Sequence, residues 1–462
     1  MIDELQEDIS LAQKLGSEFA DARFETQKAK QINVVNGSIR TFLSAERSGI
    51  AVRVKFRGAW GLVSTTSLTS EDLKTAVKNA FKLAKTANAY SKEKIGIREA
   101  ASTKSKSKAK IRINPENVAT EEKLEFVFSL DEAQKVADKR IVSRTSSYVE
   151  YLKNFQLVNS FGSQLEWNEI RTQFSAMSIA LESGKREFGF KNKGGTVGYE
   201  LVKETDPHVF GTNVAKEAVE LLSAIKPPSG LLTVIVDPEI AGVLAHEVMG
   251  HASEADEVIR NRSFLSDAVG KKVASNLVTM VDNGTIAGAY GSIPFDSEGT
   301  PSSRTAIIEK GVYKRFLHSL ETAAALNSAP TGNGRAQDYN KRVWVRMTNT
   351  FFELGNWKLE EMISDTKEGL LALKAISGME DPVGGGFQVR ALKGYTIRNG
   401  EKLHLVRGFS LTGKALDILK TVDSVGKEFQ LSAGFCGKGE EDLVQVTTGG
   451  PYMRAKIIAG GE

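Results

Sequence analysis

Two histidines and a glutamate lie close together within residues 237–256. His246 and His251, two of the five histidines in the chain, flank Glu247 in the order HEVMGH. Neutral imidazole is a common metal ligand, and a carboxylate beside a metal-activated water can act as a general base. The stretch therefore predicts the site of a metal-dependent hydrolase.

The spacing of these histidines differs from that of the HExxH motif of zinc peptidases. Residues four apart in an α-helix lie on one face, so both imidazoles of HExxH reach one metal ion. His246 and His251 are five apart, which separates them by about 140° around a regular helix. Either a one-residue π-bulge or an end of the helix at Gly250 would bring them together. The sequence leaves both open, and in each case Glu247 would act as general base.

A catalytic zinc ion needs a third protein ligand and leaves one position for water. Cys436, the only cysteine, lies between glycines in the segment GFCGKG, where its sulfur would be accessible and zinc would bind it as thiolate. Glu254 and Asp256 compete for the third position, or they orient the imidazoles from behind. Taken alone, the pattern is explained equally well by two hydrogen-bonded histidines at a helix end and a buried cysteine.

The elements around the histidines predict how they are positioned. The run LLTVIV at residues 231–236 is continuously apolar, as in a strand buried on both faces. Asp237 and Pro238 then begin the helix that carries His246. The residues PPSG at 227–230 precede the strand and mark a domain boundary.

The remaining periodicities predict an α+β protein with mixed and antiparallel sheets, in which an amino-terminal α/β part precedes a β-rich carboxy-terminal catalytic domain. Asn36 and Gly37 join two alternating runs, a pattern typical of a β-hairpin. Ser70 is predicted to cap a helix that continues to residue 89. The predicted domains are residues 1–110, an amino-terminal α/β domain with a basic linker, residues 111–230, a second α/β segment, and residues 231–462, the catalytic domain.

The bulk composition excludes several classes of protein. The chain has 462 residues, of which 41% are hydrophobic and 26% charged, so it is expected to fold into two or three domains. No run of about 18 apolar residues predicts a membrane span. The acidic start MIDELQEDIS is unlike a secretory signal, so a cytoplasmic protein is predicted. A single cysteine excludes an intrachain disulfide.

The net charge of +4 is concentrated in part in one segment, KSKSKAK at residues 104–110. No aromatic residues are interleaved with these lysines, as base stacking would require. The segment is therefore interpreted as part of a solvated linker over residues 91–110 rather than as a nucleic-acid site.

The carboxy-terminal half also contains a series of glycine-rich motifs in a defined order. Between residues 231 and 462 they are HEVMGHASEAD, DNGTIAG, FDSEGTP, PTGNGR, RMTNTFF, GGGFQV, AGFCGKG and GGPYMRAKIIAGG. This series resembles the TldD/PmbA family of zinc peptidases, and the amino-terminal segments SGIAVRV and GAWGLVS are similar to it as well. The resemblance makes residues 231–462 a metallopeptidase domain.

The resemblance implies a ligand set, a cofactor and partners. His246, His251 and Cys436 would hold Zn²⁺ and Glu247 would be the catalytic carboxylate. The chain would be the TldD-like catalytic subunit, because the PmbA (TldE) type lacks HExxxH. In that family two subunits enclose a channel for unfolded or extended peptide. The expected partners are therefore a peptide substrate and a second subunit, either another copy or a TldE-like paralogue, with neither nucleic acid nor membrane.

The residues predicted to contact the substrate are Arg335, Tyr339, Gly385 and Lys438. Arg335, Tyr339 and Lys438 carry donors that could stabilise the oxyanion. Arg346 is a further candidate donor, equally suited to a structural ion pair. Gly385 lies in a glycine run before FQV, where an extended peptide could add as a strand.

The predicted activity is hydrolysis of unfolded or extended peptides by a metal-activated water, with Glu247 as general base. Two other classes of function remain open. One is a zinc hydrolase that cleaves a non-peptide amide. The other is a non-catalytic regulatory protein that binds peptides and carries a structural metal.

Overall fold

The computed structural model describes residues 2–91 and 94–460. Residue 1, residues 92 and 93 of the predicted linker, and residues 461 and 462 at the end of the predicted catalytic domain lie outside the described residues. The α-helices are α1 (Ile2–Lys14), α2 (Ser70–Tyr90), α3 (Thr120–Ala137), α4 (Glu200–Lys203), α5 (Pro207–Leu221), α6 (Pro238–Val243), α7 (Ala255–Ile259), α8 (Leu320–Ala325), α9 (Leu359–Ser364) and α10 (Ala415–Lys420). Within these described ranges no helix is long and apolar enough to cross a membrane.

The amino-terminal half forms one sheet. Its strands are β1 (Phe19–Val35), β2 (Ser38–Phe56), β3 (Ala59–Thr65), β4 (Lys104–Ser107), β5 (Ile141–Asn159), β6 (Gln164–Glu182) and β7 (Lys185–Gly195). The order is β3-β2-β1-β5-β6-β4, and β7 also pairs with β6. Strands from the first two predicted segments therefore share a sheet, and the division of the chain at residues 110 and 230 stays a prediction.

The hairpin between β1 and β2 confirms the prediction from Asn36 and Gly37. Both residues have positive φ, 50° and 77°, which is the backbone that a two-residue hairpin turn of type I′ requires. Helix α2 is confirmed as well, but its cap is Thr69, whose side chain accepts a hydrogen bond from the backbone N–H of Asp72. The cap therefore lies one residue before the predicted Ser70.

The segment predicted as a linker contributes a short strand instead of remaining unpaired throughout. Lys104–Ser107 pairs in parallel with residues 164–167 of β6. The two lysines of β4 are exposed and the two serines are half-buried, so the KSKS pattern has the period of two that is typical of an edge strand. Lys106 also forms an ion pair with Glu166 at 2.9 Å.

The carboxy-terminal half contains the second large sheet. Its chain segment holds β8 (Gly230–Val236), β9 (Met280–Asn283), β10 (Arg304–Glu309), β11 (Val312–Tyr313), β12 (Gly334–Arg335), β13 (Trp344–Val345), β14 (Asn349–Phe352), β15 (Glu368–Asp381), β16 (Gly386–Arg398), β17 (Glu401–Lys414), β18 (Ser424–Lys438) and β19 (Glu441–Gly460). Strands β12 and β13 pair separately, and the others form a ten-stranded mixed sheet. Helices combined with mixed and antiparallel sheets confirm the predicted α+β class.

Five strands of this sheet close into a ring in the order β8-β15-β16-β17-β19 and back to β8. Strand β8 is the first member of the ring in the sequence, and it has partners on both edges. Val234 and Val236 belong to the main hydrophobic cluster, whereas Ile235 packs with Met362 of α9 on the other face. The prediction that residues 231–236 form a strand buried on both faces is therefore confirmed for its inner half.

Candidate metal centre

The segment that carries the histidines begins at the end of β8. Asp237 caps α6, because its Oδ1 accepts a hydrogen bond from the backbone N–H of Ile240 at 2.9 Å. Its Oδ2 accepts a second one from the backbone N–H of Lys374 in β15, at 2.7 Å. The start of the helix is thus attached to a neighbouring strand of the ring, which fixes the direction in which the helix leaves the sheet.

A π-helical turn over Leu244–Gly250 brings the two histidines together. The backbone N–H of His251 donates to the carbonyl of His246, five residues earlier, and this wider turn places residues five apart on one face. Gly250 has an ordinary helical φ of −64°, so the chain does not change direction there. Of the two geometries left open by the sequence, the π-bulge is the one adopted. The two imidazole rings lie 5.0 Å apart between centroids.

Strand β18 brings Cys436 to the histidines. Its Sγ lies 3.5 Å from Nε2 of His251, and one ligand atom from each of Cys436, His246 and His251 lies within 4.8 Å of the others. All three residues are buried. The group could hold a metal ion, and its two imidazoles and one thiol are a donor set that suits zinc.

Glu254 lies on the far side of His251. Its Oε2 is 3.1 Å from Nδ1 of His251, an arrangement that places the ring proton on Nδ1 and leaves Nε2 toward Cys436. Lys438 donates to Glu254 at 2.8 Å and to Asp256 at 2.7 Å. Of the two acidic residues that compete for the third ligand position, Glu254 therefore lies behind His251, and Asp256 shares its contact with Lys438.

One ring nitrogen of His246 is left unsatisfied in the described structure. This nitrogen, Nδ1, is buried and has no hydrogen-bond partner among the residues described. Such a nitrogen costs free energy unless a ligand satisfies it.

The charges of the group favour metal binding too. Burial alone would raise the pKa of Cys436, but His251 and His246 outweigh burial and hold it well below its ordinary value. Burial alone would lower the pKa of each histidine, but the thiolate keeps both above the usual value. Cys436 is therefore ionised, and the thiolate is the form of cysteine that binds metals.

Glu247 lies beside this group, with its Oε2 3.9 Å from Nε2 of His251. Glu247, His251 and Glu380 form a second group that could hold an ion. Burial and the neighbouring Glu247 raise the pKa of Glu380 to about 7. Both groups contain His251, but the second has an exposed member, so the buried group with the thiolate is the better candidate to hold an ion, with Glu247 beside it.

The predicted substrate residues occupy different surroundings. Arg335 is buried and donates to the carbonyls of Met347 and Gln445. Tyr339 packs against Gly49 of the amino-terminal sheet. The structure thus places both in contacts with other parts of the protein.

The other three residues, Gly385, Lys438 and Arg346, differ in how they relate to the candidate centre. Gly385 is in the turn between β15 and β16, with a φ of 70°. Lys438 and Arg346 adjoin the group directly: Arg346 donates to the carbonyl of Cys436 and to Glu441, the latter at 2.7 Å. Both side chains are engaged with protein groups.

Two features near the centre have no signal in the sequence. A Cβ atom on Gly378 of β15 would lie 2.5 Å from Cγ of Glu247, so β15 passes directly against the catalytic candidate. Trp344 and Arg260 line a cavity that His251 also lines. These residues come from distant segments, so that no local spacing connects them with HExxxH.

A buried group of two histidines and a cysteine beside a glutamate is the arrangement of a metal-dependent hydrolase. Three family models match the chain: the PmbA/TldA metallopeptidase domain 1 at residues 20–84, the central domain at residues 113–224, and the C-terminal domain at residues 229–460. The chain therefore belongs to the PmbA/TldD metallopeptidase family, and the resemblance stated from the motifs is confirmed.

Relatives and solved structures cover nearly the whole chain. A metalloprotease of Methanocaldococcus jannaschii is 37% identical over 95% of this chain and 96% of its own. A Saccharolobus solfataricus protein named a zinc metalloprotease TldD homolog is 26% identical over 98% of both chains. The crystal structure of TldE from Thermococcus kodakarensis has a TM-score of 0.78 at 17% identity and covers 99% of this chain and 100% of that one. At that identity the likeness concerns the fold.

Proposed function

We propose that the protein is a zinc-dependent peptidase that hydrolyses unfolded or extended peptides. The observation that carries the proposal is the buried group of His246, His251 and Cys436 with Glu247 beside it. Three protein ligands with one remaining position for water are typical of catalytic zinc, whereas structural zinc usually has four. The name of the Saccharolobus solfataricus relative supports zinc as the metal.

The residues around the group would have distinct tasks. Zinc, when bound, supplies a Lewis acid that lowers the pKa of water and polarises a carbonyl. Glu247 would accept a proton from the attacking water and later donate it to the leaving amine. Glu254 would accept a hydrogen bond from the Nδ1–H of His251 and so orient the ring. Arg346 would donate a hydrogen bond to the backbone carbonyl of Cys436 and so position the thiolate.

The outer edge of β15 offers a place where an extended substrate could bind. Strand β8 pairs with β15 only at Leu370–Ala372, although β15 continues to Asp381. Within residues 2–91 and 94–460, no strand pairs with that edge beyond Ala372. Gly378 lies on this stretch against Glu247. A peptide that added to this edge as a strand would therefore pass the candidate centre with its backbone extended.

A second subunit belongs to the same proposal. We propose that the chain works as a dimer in the cytoplasm, with another copy of itself or with a TldE-like paralogue. Native mass spectrometry of the protein purified from its own cells would measure the mass of the assembly and of any bound metal. A monomeric mass at cellular concentrations would contradict the dimer.

Cleavage of an unfolded protein tests the activity. We expect the zinc-loaded protein to cleave unfolded casein, and a chelator to abolish cleavage until zinc is restored. Glu247→Ala should reduce kcat by at least about 100-fold while zinc stays bound. Glu368→Ala, at the exposed start of β15, is the matched control and should retain activity.

The same experiment separates the alternative functions. Hydrolysis of a non-peptide amide in a chelator-sensitive reaction, without cleavage of any peptide, would indicate the other class of hydrolase. Peptide binding that is unchanged by Glu247→Ala, without turnover of either substrate, would indicate a regulatory protein with a structural metal.

A further inference from the structure

A cavity of about 370 Å³ adjoins the candidate metal centre. His251 lies in its wall, and the other lining residues include Trp344, Arg260 and Lys438. Because an extended peptide advances about 3.3 Å per residue, a substrate residue that enters this cavity is close in sequence to the bond that lies over the metal. The chemistry of the cavity therefore bears on which peptides are cleaved.

The cationic groups of the cavity differ in whether they are neutralised. Lys438 is bound by Glu254 and Asp256 at 2.8 and 2.7 Å. Arg262 is paired with Glu257 at 2.9 Å. Arg260 is exposed, and in the part of the chain that the structure describes its guanidinium has no carboxylate within ion-pair distance. It is the cation in this cavity that remains available to a ligand.

Arg260 lies over the indole ring of Trp344. The guanidinium carbon lies 4.6 Å from the centroid of the indole ring, and that of Arg342 lies 3.9 Å from it. The ring is buried, and Gly439 packs closely on it. A guanidinium that stacks by its face on an aromatic ring keeps its N–H edge available, and this planar edge matches the two oxygens of a carboxylate.

A second cavity continues from the first. It has a volume of about 420 Å³, and Arg260 lines both cavities, whereas Arg342 lines the second but not the first. The two arginines on Trp344 thus line adjoining cavities, and Arg260 is the one that shares a cavity with His251.

We propose that the cavity beside His251 is a substrate subsite that binds a peptide carboxylate through Arg260, with Trp344 holding the guanidinium in place. The carboxylate belongs to an acidic side chain next to the cleaved bond or to the carboxyl terminus of the peptide. This inference rests on the proposed peptidase function and adds a substrate preference to it.

Paired peptides test the preference. One pair of unstructured peptides has Asp or Asn beside the cleaved bond, and a second pair ends in a free carboxylate or in an amide. We expect the wild-type protein to favour the charged member of one pair by about tenfold in kcat/KM, the usual scale of a charge-assisted hydrogen bond. The pair that shows the preference identifies the source of the carboxylate.

Variants of Arg260 test whether this residue causes the preference for the charged peptide. Arg260→Gln should lower kcat/KM for the charged peptide about tenfold and leave the neutral peptide within about twofold, and Arg260→Lys should restore part of the difference. Arg398→Gln, an exposed arginine in β16, is the matched control. An equal loss on both peptides, or none on either, would show that Arg260 only covers Trp344 and would overturn the subsite.

Binding measurements keep this test separate from the test of catalysis. Calorimetry with the zinc-loaded Glu247→Gln variant should show the same preference in Kd, and the addition of Arg260→Gln should remove it. If the wild-type protein cleaves none of the peptides but binds the charged one more tightly, the subsite stands and the peptidase proposal falls. If neither rate nor Kd distinguishes the paired peptides, the subsite is refuted.

Discussion

The Sγ atom of Cys436 lies 3.5 Å from Nε2 of His251, although 185 positions separate the two residues in the chain. Both are buried, and each holds the other in its charged form. When a metal ion binds, the imidazolium loses its proton, and bonds from the thiolate and the neutral imidazole to the metal replace the ion pair between them. Strand β18 and the π-helical turn together therefore define the candidate centre.

Replacement of Cys436 tests the third ligand. Cys436→Ser should strongly lower the zinc content after dialysis, because a neutral hydroxyl is a much poorer ligand than a thiolate. Atomic absorption measures the zinc, and Ser432→Ala in the same strand is a control that should retain it. A normal zinc content in Cys436→Ser would indicate that the third ligand is Glu254 or Asp256 and not Cys436.

Glu254 is predicted to position His251. Glu254→Gln should weaken zinc binding about 10- to 100-fold, since the carboxylate that fixes the ring tautomer is lost. Competition with a chromophoric chelator measures the affinity. Glu257→Gln is the matched control, because Glu257 also faces Lys438, at 3.4 Å, and makes no ion pair with His251 in the described structure. Equal effects of the two variants would contradict a specific role for Glu254.

Gly378 is predicted to be essential for the position of Glu247. The added Cβ of Gly378→Ala would lie 2.5 Å from Cγ of Glu247 and 2.6 Å from Cγ1 of Val243, so the glutamate must move. We expect kcat to fall at least about tenfold with unchanged zinc content, because small displacements of a catalytic group are costly. At Gly386 the nearest atom would be 3.8 Å away, and Gly386→Ala should be nearly neutral. An unchanged kcat in Gly378→Ala would show that the close contact of β15 with Glu247 is not needed for catalysis.

Asp8 is predicted to make stability depend on pH. It is 3% exposed in α1, and its Oδ2 is buried without a hydrogen-bond partner in the described structure. Burial raises its pKa from 3.8 to about 6. The folded state therefore binds this proton more tightly than the unfolded state. The resulting stabilisation is complete below about pH 4 and is lost as the pH rises through 6.

Asp8→Asn should remove this dependence. At pH 8 the variant should be more stable than the wild-type protein by about 1 to 2 kcal/mol, and at pH 4 the two should be nearly equal. Thermal unfolding at both pH values measures the difference, with Asp3→Asn as an exposed control in the same helix. A stabilisation of the same size at pH 4 would exclude ionisation of Asp8 as its cause.

The sequence by itself determined the elements whose signals are local. The pair Asn36 and Gly37 specified a hairpin because few other residues accept positive φ at both positions. The apolar run at 231–236 specified a strand, whose inner half is buried. The residue types of His246, Glu247 and Cys436, together with the order of the motifs around them, were enough to identify the family.

The tertiary structure decided the questions that depend on packing. Local spacing allowed either a π-bulge or a helix end at Gly250, and the structure has the π-helical turn, with Met347 packed where a side chain on Gly250 would lie. Lys438 was open as a donor to the substrate, but in the structure, where β18 pairs with β19, its ammonium contacts Glu254 and Asp256. Arg260 and Gly378 adjoin the centre only because distant strands and loops meet there. Such contacts arise from the burial of surfaces far apart in the chain, which leaves no periodicity in the sequence.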